Sequence, residues 1–244
     1  MCCSSPDTGS QVGENEEEIP TFRSCVFSRL FLSSLLWFSL LQLRFSFFIG
    51  TLNPLLNLMT NGDPELVSRF TNAFAFTQLF TVLCAPLNGL ILDRRKWRRR
   101  GMNSPSGSAT SQRVNDIQAV VLSLALTVTL SVLFSLAAAI PIPEVQYLTF
   151  VLFMINRSFL YGGLSAFLAM TFPPCHFGKL YGATRALAAI VSLLQYPFFT
   201  IVKGPLQDDP LYMNIGFIAL VALAYAHPIN VFIYCRWTNH QLSV

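Results

Sequence analysis

The stretch YLTFVLFMINRSFLYGGLSAFLAMTF (147–172) decides the fold, because it is predominantly apolar and carries a single charge, Arg157. A helix of about 20 predominantly apolar residues crosses a bilayer, and its backbone groups bond to one another inside the helix. Further blocks of the chain meet the same requirement: 27–52, 67–92, 117–139, 179–202 and 212–234. The sequence therefore predicts an all-α membrane protein with six transmembrane helices.

The composition agrees with a membrane fold and disagrees with a soluble one. Hydrophobic residues make up 53% of the chain and charged residues 11%, against about 25% charged residues in soluble domains. Residues 1–20 are polar and acidic, which predicts a disordered cytoplasmic tail. The six-helix bundle is expected over residues 21–236, and residues 237–244 are expected to form a second tail. With no secretory signal peptide in the polar first segment, the first span would act as the insertion signal.

The positions of lysine and arginine set the predicted orientation. With residue 1 inside, the cytoplasmic segments hold most of the cations, whereas the exterior side holds Lys203 and, at span ends, Arg44 and Arg69. The cytoplasmic loop 93–116 contains the basic run DRRKWRRR (93–100). An anionic-lipid or nucleic-acid patch is one interpretation of this run, but we favour a topology anchor and expect no nucleic-acid partner. Both termini are predicted to be cytoplasmic.

Strongly polar residues are unevenly distributed among the six spans. The first, second, fourth and fifth spans contain Gln42, Arg44, Asn72, Gln78, Asn88, Asn156, Arg157, Tyr161, Arg185 and Gln195. Between Gln118 and Pro141 the third span offers only serine and threonine, and between Asn214 and His227 the sixth offers nothing more polar than Tyr225. This order indicates two related triplets, each with a peripheral third member. Major facilitator transporters contain such three-plus-three repeats within each six-helix half.

A motif at the cytoplasmic end of the second span supports this interpretation. The segment NGLILDRRKWRRR (88–100) contains Gly89, Asp93 and Arg94. It resembles the major facilitator loop motif, Gly-x-x-x-Asp-Arg/Lys-x-Gly-Arg-Arg/Lys, with Lys96 in place of the second glycine. In that motif, glycine allows close helix approach, and the aspartate pairs with basic groups on a neighbouring helix to hold one conformation. An ordinary helix end with cytoplasmic positive charge is the alternative interpretation.

Arg157 is the strongest candidate for a substrate-cavity residue. It lies near the middle of the fourth span, where a charged side chain reaches neither membrane surface easily. Tyr161 and Ser165 follow at intervals of four and share its helix face. A cation beside a phenol and a hydroxyl suits a polar, planar or anionic substrate. The alternative is a structural arginine bonded to helix-end carbonyls or to an acid on another helix.

Gln78, Gln195 and Arg44 complete the predicted cavity. The two glutamines could bind the hydrogen-bonding edge of a substrate, and interhelical hydrogen bonding is an equal alternative for both. Arg44 and Arg185 lie nearer the ends of their spans. For these two arginines, a cavity role and snorkelling to the membrane surface both stay open.

Three local features need no substrate to explain them. Pro197 and Pro228 lie inside the fifth and sixth spans and are predicted to kink them, since proline cannot donate a helical hydrogen bond. The triplet Asn156-Arg157-Ser158 fits the glycosylation pattern, but its depth in the membrane argues against modification.

The chain lacks the side-chain patterns of coupled transport and catalysis. Its carboxylates lie outside the predicted spans or at their ends, with Asp93 the nearest. Proton- and sodium-driven carriers use buried acids for coupling, so their absence favours equilibrative movement.

His176, His227 and His240 lie near cytoplasmic span ends or in the tail, in no catalytic spacing. Cys175 and His176 lack a second ligand pair for zinc. We expect no enzyme, no metal and no cofactor.

From Thr21 onward the chain resembles the C-terminal half of transporters of solute carrier family 43, a major facilitator branch. The resemblance is carried by TFRSC (21–25), FIGTLN (48–53), TNAFAFTQ (71–78), NRSFLYG (156–162), HFGKLYG (176–182), SLLQYPFFT (192–200) and KGPLQDDPLYMN (203–214). It is strongest with the nucleobase-transporting branch of the family. The resemblance implies half of a twelve-helix facilitator fold and sodium-independent, equilibrative uptake of purine nucleobases at the plasma membrane.

Alternatives to this function stay open. The same family includes large neutral amino acid transporters, whose substrates would also bind Gln and Arg side chains. A different class of function is a non-transporting or regulatory membrane protein, such as a truncated form that pairs with a full-length carrier. The expected partners are therefore the lipid bilayer, a small-molecule substrate (a purine nucleobase or a neutral amino acid), and a missing N-terminal half or a full-length carrier.

Overall fold

A computed structural model describes residues 20–81, 83–84, 109–206 and 211–242, with side chains except at 109–116, 118–119 and 239–242. These ranges form α1 (Phe22–Val26), α2 (Arg29–Met59), α3 (Pro64–Leu79), α4 (Ala109–Ala139), α5 (Val145–Thr171), α6 (Pro174–Ser192), α7 (Gln195–Lys203), α8 (Leu211–Leu223) and α9 (Ala226–Leu242). The predicted acidic tail and the predicted loop motif lie outside the described residues. The described chain is helical in every regular element, as the hydropathy pattern predicts.

Five segments are long and apolar enough to cross a membrane. They are Arg29–Met59, Val120–Ala139, Val145–Thr171, Pro174–Lys203 and Leu211–Thr238. The second predicted span begins as α3, but its part from residue 85 lies outside the described residues. A multi-pass helical fold is therefore confirmed, whereas the number six stays a prediction.

The last two spans are each interrupted near a proline. The fifth breaks at Leu193 and Leu194, between α6 and α7, three and four residues before Pro197. The sixth breaks at Ala224 and Tyr225, in the same position relative to Pro228. Proline has no N–H for the carbonyl four residues earlier, and its ring collides with that carbonyl. Each of the two spans is interrupted where its proline predicts a kink.

The first span is longer than the predicted 27–52, because α2 continues to Met59. Polar residues near its end lowered the local hydropathy, but Asn57 donates to the Asn53 carbonyl oxygen at 3.0 Å and stays within the helix. The helix ends where Asn61 and Gly62 take positive φ values of 53° and 77°. Asp63 then caps α3 by accepting from the backbone N–H of Glu65 at 2.9 Å.

The helices pack around α2, which contacts α3 and every helix from α5 to α9. On one side, α4 packs against α5, α8 and α9. The third and sixth spans, which are poor in strongly polar residues, therefore lie against each other. The helices α3 and α6, which belong to spans rich in polar residues, each pack against α2 and α5. The relation of the two triplets as a repeat stays a prediction.

The contact between α4 and α5 is built from small and polar side chains. Gly163 leaves room for Ser123 and Thr127, whose oxygens would lie 3.7 Å from an added methyl group. Asn156 is fully buried. Oriented so that both ends of its amide are satisfied, it donates to the Thr127 carbonyl oxygen at 3.1 Å and accepts from the Ser131 hydroxyl at 2.8 Å. The side-chain amide nitrogen of Asn156, which is the atom that glycosylation would modify, is therefore inside the bundle.

We expect the replacement Ser131→Ala to lower the free energy of unfolding by about 1 kcal/mol, the usual value of a hydrogen bond between membrane helices. The substitution removes a buried hydroxyl that the Asn156 amide uses. The measurement is unfolding of the purified chain in SDS titration. Ser68→Ala, at an exposed position of α3, should stay within about 0.5 kcal/mol of the wild type. Equal effects of the two substitutions would mean that the Ser131 hydroxyl contributes nothing.

Candidate functional site

Tyr161 lies at the centre of a polar cluster that draws on three helices. Its hydroxyl donates to Gln42 Oε1 of α2 at 3.1 Å. The guanidinium carbon of Arg185, on α6, lies 4.3 Å from the centroid of its ring. The guanidinium carbon of Arg157, one turn earlier on α5, lies 5.8 Å from the same centroid. Gln42, Arg157, Tyr161 and Arg185 are called the arginine–tyrosine cluster from here on.

Both arginines are held by aromatic rings. A guanidinium within about 6 Å of a ring centroid is attracted by the negative face of the ring. Arg157 also lies 6.0 Å from the Phe153 centroid, and Arg185 lies 5.9 Å from that of Phe38. The rings of Phe38 and Tyr161 are themselves 5.7 Å apart. These contacts fix the position of the cations without neutralising them.

Helix geometry explains which polar residue of α2 reaches the cluster. Gln42 and Arg44 are two residues apart, which turns them by about 200° around the helix axis. Gln42 faces α5 and bonds to Tyr161, so Arg44 must face the opposite side. Its Nε donates to the Ser135 hydroxyl of α4 at 3.1 Å. The residues of the predicted cavity therefore lie on different sides of α2, with Tyr161 on one side and Arg44 on the other.

Arg44 is held inside the bundle and does not snorkel. Only 1% of its surface is exposed, and its guanidinium carbon lies 5.0 Å from the ring of Phe134 and 5.4 Å from that of Phe217. Its Nη2 atom is buried with no hydrogen-bond partner among the described residues. The structure places Arg44 among α2, α4 and α8, and does not bring it together with Tyr161.

The two glutamines of the predicted cavity take separate positions. Gln195 is half-buried and is the first residue of α7, directly after the break in the fifth span. Gln78 is half-buried near the end of α3, and its Nε2 atom has no partner in the described part of the chain. Neither is recorded in contact with the arginine–tyrosine cluster, so their cavity role stays a prediction. Gly89, Asp93 and Arg94 lie outside the described residues.

The cluster offers donors of hydrogen bonds and positive charge. The five segments that can cross a membrane contain no aspartate or glutamate, so neither arginine meets a carboxylate within them. Arg157 and Tyr161 are half-buried and Arg185 is exposed at the bundle surface. Aromatic rings beside exposed donors suit a planar ligand that is rich in acceptors.

Sequence reasoning missed a second polar contact, which joins the first and sixth spans. His227 Nδ1 lies 2.9 Å from the Ser33 hydroxyl, 194 positions away in the chain. The His227 ring is buried against Trp37 and Phe167, with centroids 5.6 Å and 4.9 Å away. Asn230 also donates to the Ser33 hydroxyl at 3.3 Å. No sequence spacing could reveal this pair, because its geometry depends on the packing of α2 against α9.

The chain is similar to proteins of known activity. It is 48% identical over 211 residues to the equilibrative nucleobase transporter 1 of Bos taurus. The matched region covers 86% of this chain and 43% of the relative. It is 29% identical over 265 residues to the large neutral amino acids transporter small subunit 3 of Mus musculus, covering 95% of the chain and 46% of the relative. The Homo sapiens protein of the same name is 29% identical over 261 residues, which are 94% of the chain and 46% of the relative.

These similarities confirm the resemblance that the sequence motifs predict. No protein-family model matches the chain, and no solved structure matches it. The chain spans less than half the length of the curated relatives that it matches. All three relatives are transporters and not enzymes. The chain is therefore a multi-pass membrane protein related by sequence to an equilibrative nucleobase transporter and to large neutral amino acids transporters.

Proposed function

We propose that this chain forms one half of an equilibrative carrier for purine nucleobases, with both termini in the cytoplasm and the plasma membrane as its location. The observation that carries the proposal is the arginine–tyrosine cluster, in which Tyr161 lies between two cations and a glutamine from three helices. The similarity to a nucleobase transporter supports the same substrate class.

The chemistry of the cluster fits a purine better than it fits a substrate whose transport is coupled to an ion. A purine presents a planar ring, which stacks on aromatic or guanidinium planes, and an edge with several acceptors. The membrane segments lack a carboxylate that could bind a sodium ion or exchange a proton. Transport through this site would then follow the nucleobase gradient alone, in agreement with sodium-independent, equilibrative movement.

The missing structural element would be a second six-helix half. Arg185 and several apolar side chains of α6 and α7 are exposed on the described bundle, including Leu187 and Ile190. A second half covering this face would enclose the cluster in a central cavity that opens to each side in turn. Gln78 and Gln195 would then face the same cavity.

Uptake of radiolabelled adenine tests the proposal. The chain is expressed alone and together with the part of the bovine relative that it does not match. We expect sodium-independent adenine flux in the co-expressing cells, well above that of cells holding either part alone. Leucine flux in place of adenine flux would assign the chain to amino acid transport.

A large neutral amino acid is the second candidate substrate, favoured by the similarity to the amino acids transporters. Its carboxylate could pair with Arg157 or Arg185, but its ammonium group would find no carboxylate in the five membrane segments. A regulatory protein that pairs with a full-length carrier is the non-transporting candidate. Absence of all flux, together with co-purification of a larger carrier, would support it.

A further inference from the structure

We propose that Arg185 determines the specificity of the arginine–tyrosine cluster, and that it favours planar heterocycles with an anionic, acceptor-rich edge over neutral ones. This inference rests on the proposed function, since it concerns the substrate class of the same site. It goes beyond that function by naming the form of the ligand and the side chain that selects it.

The first argument is the placement of Arg185. Its guanidinium stacks on the Tyr161 ring at 4.3 Å and is exposed at the bundle surface. No hydrogen bond or ion pair of Arg185 is recorded among the described residues, where its contacts are the rings of Tyr161 and Phe38. A structural arginine would instead have its donors bonded to carbonyl or carboxylate oxygens. The donors of Arg185 are thus available to a ligand.

The second argument is the charge of the surroundings. Among the described residues, α6 packs mainly against α2 and α5, and α1 contacts its first turn through Phe22 and His176. The charged or titratable groups that contact or flank Arg185 from them are Tyr161 and Arg157 on α5, whereas Gln42 of α2 is neutral. Two cations share one phenol ring with no acid in the membrane segments. A negatively charged ligand would relieve this repulsion, and a neutral one would not.

The third argument is the direction of the remaining donors. The hydroxyl of Tyr161 donates to Gln42 Oε1 and uses one of the two lone pairs of that oxygen. The amide nitrogen of Gln42 has no recorded hydrogen bond of its own among the described residues, so its donors add to those of the arginines. Guanidinium groups bind planar anionic edges by paired, parallel hydrogen bonds, which are stronger than bonds to neutral acceptors. The charged groups that this cluster offers to a ligand are therefore the guanidinium donors of its two arginines.

A matched pair of purines tests the inference on the purified 244-residue chain in phosphatidylcholine nanodiscs. Hypoxanthine stays neutral near neutral pH, whereas 8-azahypoxanthine has nearly the same shape and loses a proton. We expect the wild-type chain to bind the aza-purine about tenfold more tightly, the size of one charge-assisted hydrogen bond. This preference should be lost as the pH falls and the aza-purine regains its proton, since the arginines keep their charge.

The variants separate charge, geometry and folding. Arg185→Gln should bring the affinities for the aza-purine and for hypoxanthine close together, because the guanidinium that selects the anion is gone. Arg185→Lys should keep part of the preference, because it retains the charge and loses the planar pair of donors. Lys179→Gln, which removes an exposed cation on the same helix, should behave as the wild type. Because Arg185 is exposed, its variants should unfold at the wild-type temperature.

The outcomes distinguish this inference from the proposed function. An unchanged preference in Arg185→Gln, or equal affinity of the wild type for both purines, would overturn the inference even if adenine flux is normal. Binding with the expected preference but without any flux would overturn transport and leave the inference standing. Binding of neither purine by the wild-type chain would overturn the inference, whereas the proposed function would still be decided by the adenine flux of the co-expressing cells.

Discussion

Replacing Arg157 by alanine is expected to reduce adenine uptake to the background of untransfected cells, with no loss of protein at the cell surface. Arg157 contacts the rings of Phe153 and Tyr161 and lies near the middle of its span. Alanine would remove a cation that the membrane tolerates only in a cavity or a paired position. The measurement is radiolabelled uptake in the co-expressing cells, normalised by surface biotinylation.

Arg69→Ala is the matched control for this experiment, because Arg69 is an exposed cation near the start of α3. Its removal should leave uptake close to that of the wild type. Arg157→Lys should retain a fraction of the flux, since it keeps the charge and loses the guanidinium plane. Normal uptake by Arg157→Ala would show that this arginine is not part of a substrate site.

The part of the site that is local to one helix was predictable from the sequence. Residues four apart share a helix face, so the pairing of Arg157 with Tyr161 follows from their numbers alone. The kinks at Pro197 and Pro228 are local in the same sense, because proline acts on the carbonyl four residues before it. In each case the structure agrees with the sequence-based expectation.

The part of the site that joins different helices was not predictable. Gln42 and Arg44 both interrupt the apolar first span, and hydropathy cannot tell which of them faces α5. That choice depends on the rotation of α2 against its neighbours, which is set by tertiary packing. The structure turns Gln42 to Tyr161 and Arg44 to Ser135. Arg185 joined the cluster for the same reason, because α6 packs against both α2 and α5.

Replacing Phe153 by alanine is expected to give the largest loss of stability, about 3 kcal/mol in the free energy of unfolding. Its ring is fully buried and lies 5.1–5.6 Å, centroid to centroid, from the rings of Phe45, Phe48, Phe74 and Phe134. These partners belong to α2, α3 and α4. One side chain of α5 therefore connects four helices.

The loss of unfolding free energy in Phe153→Ala should lie at the lower end of the range for buried phenylalanine. Lipid solvates apolar surface and so weakens the hydrophobic part of this loss. What remains is the loss of ring contacts and the cavity left among four helices. Phe76→Ala removes the same atoms from an exposed position of α3, where Phe76 is 65% exposed. It should lower the free energy of unfolding far less. SDS titration of both variants measures the difference. Similar costs at the two positions would mean that lipid replaces the lost contacts equally well, and that the aromatic cluster does not hold these helices together.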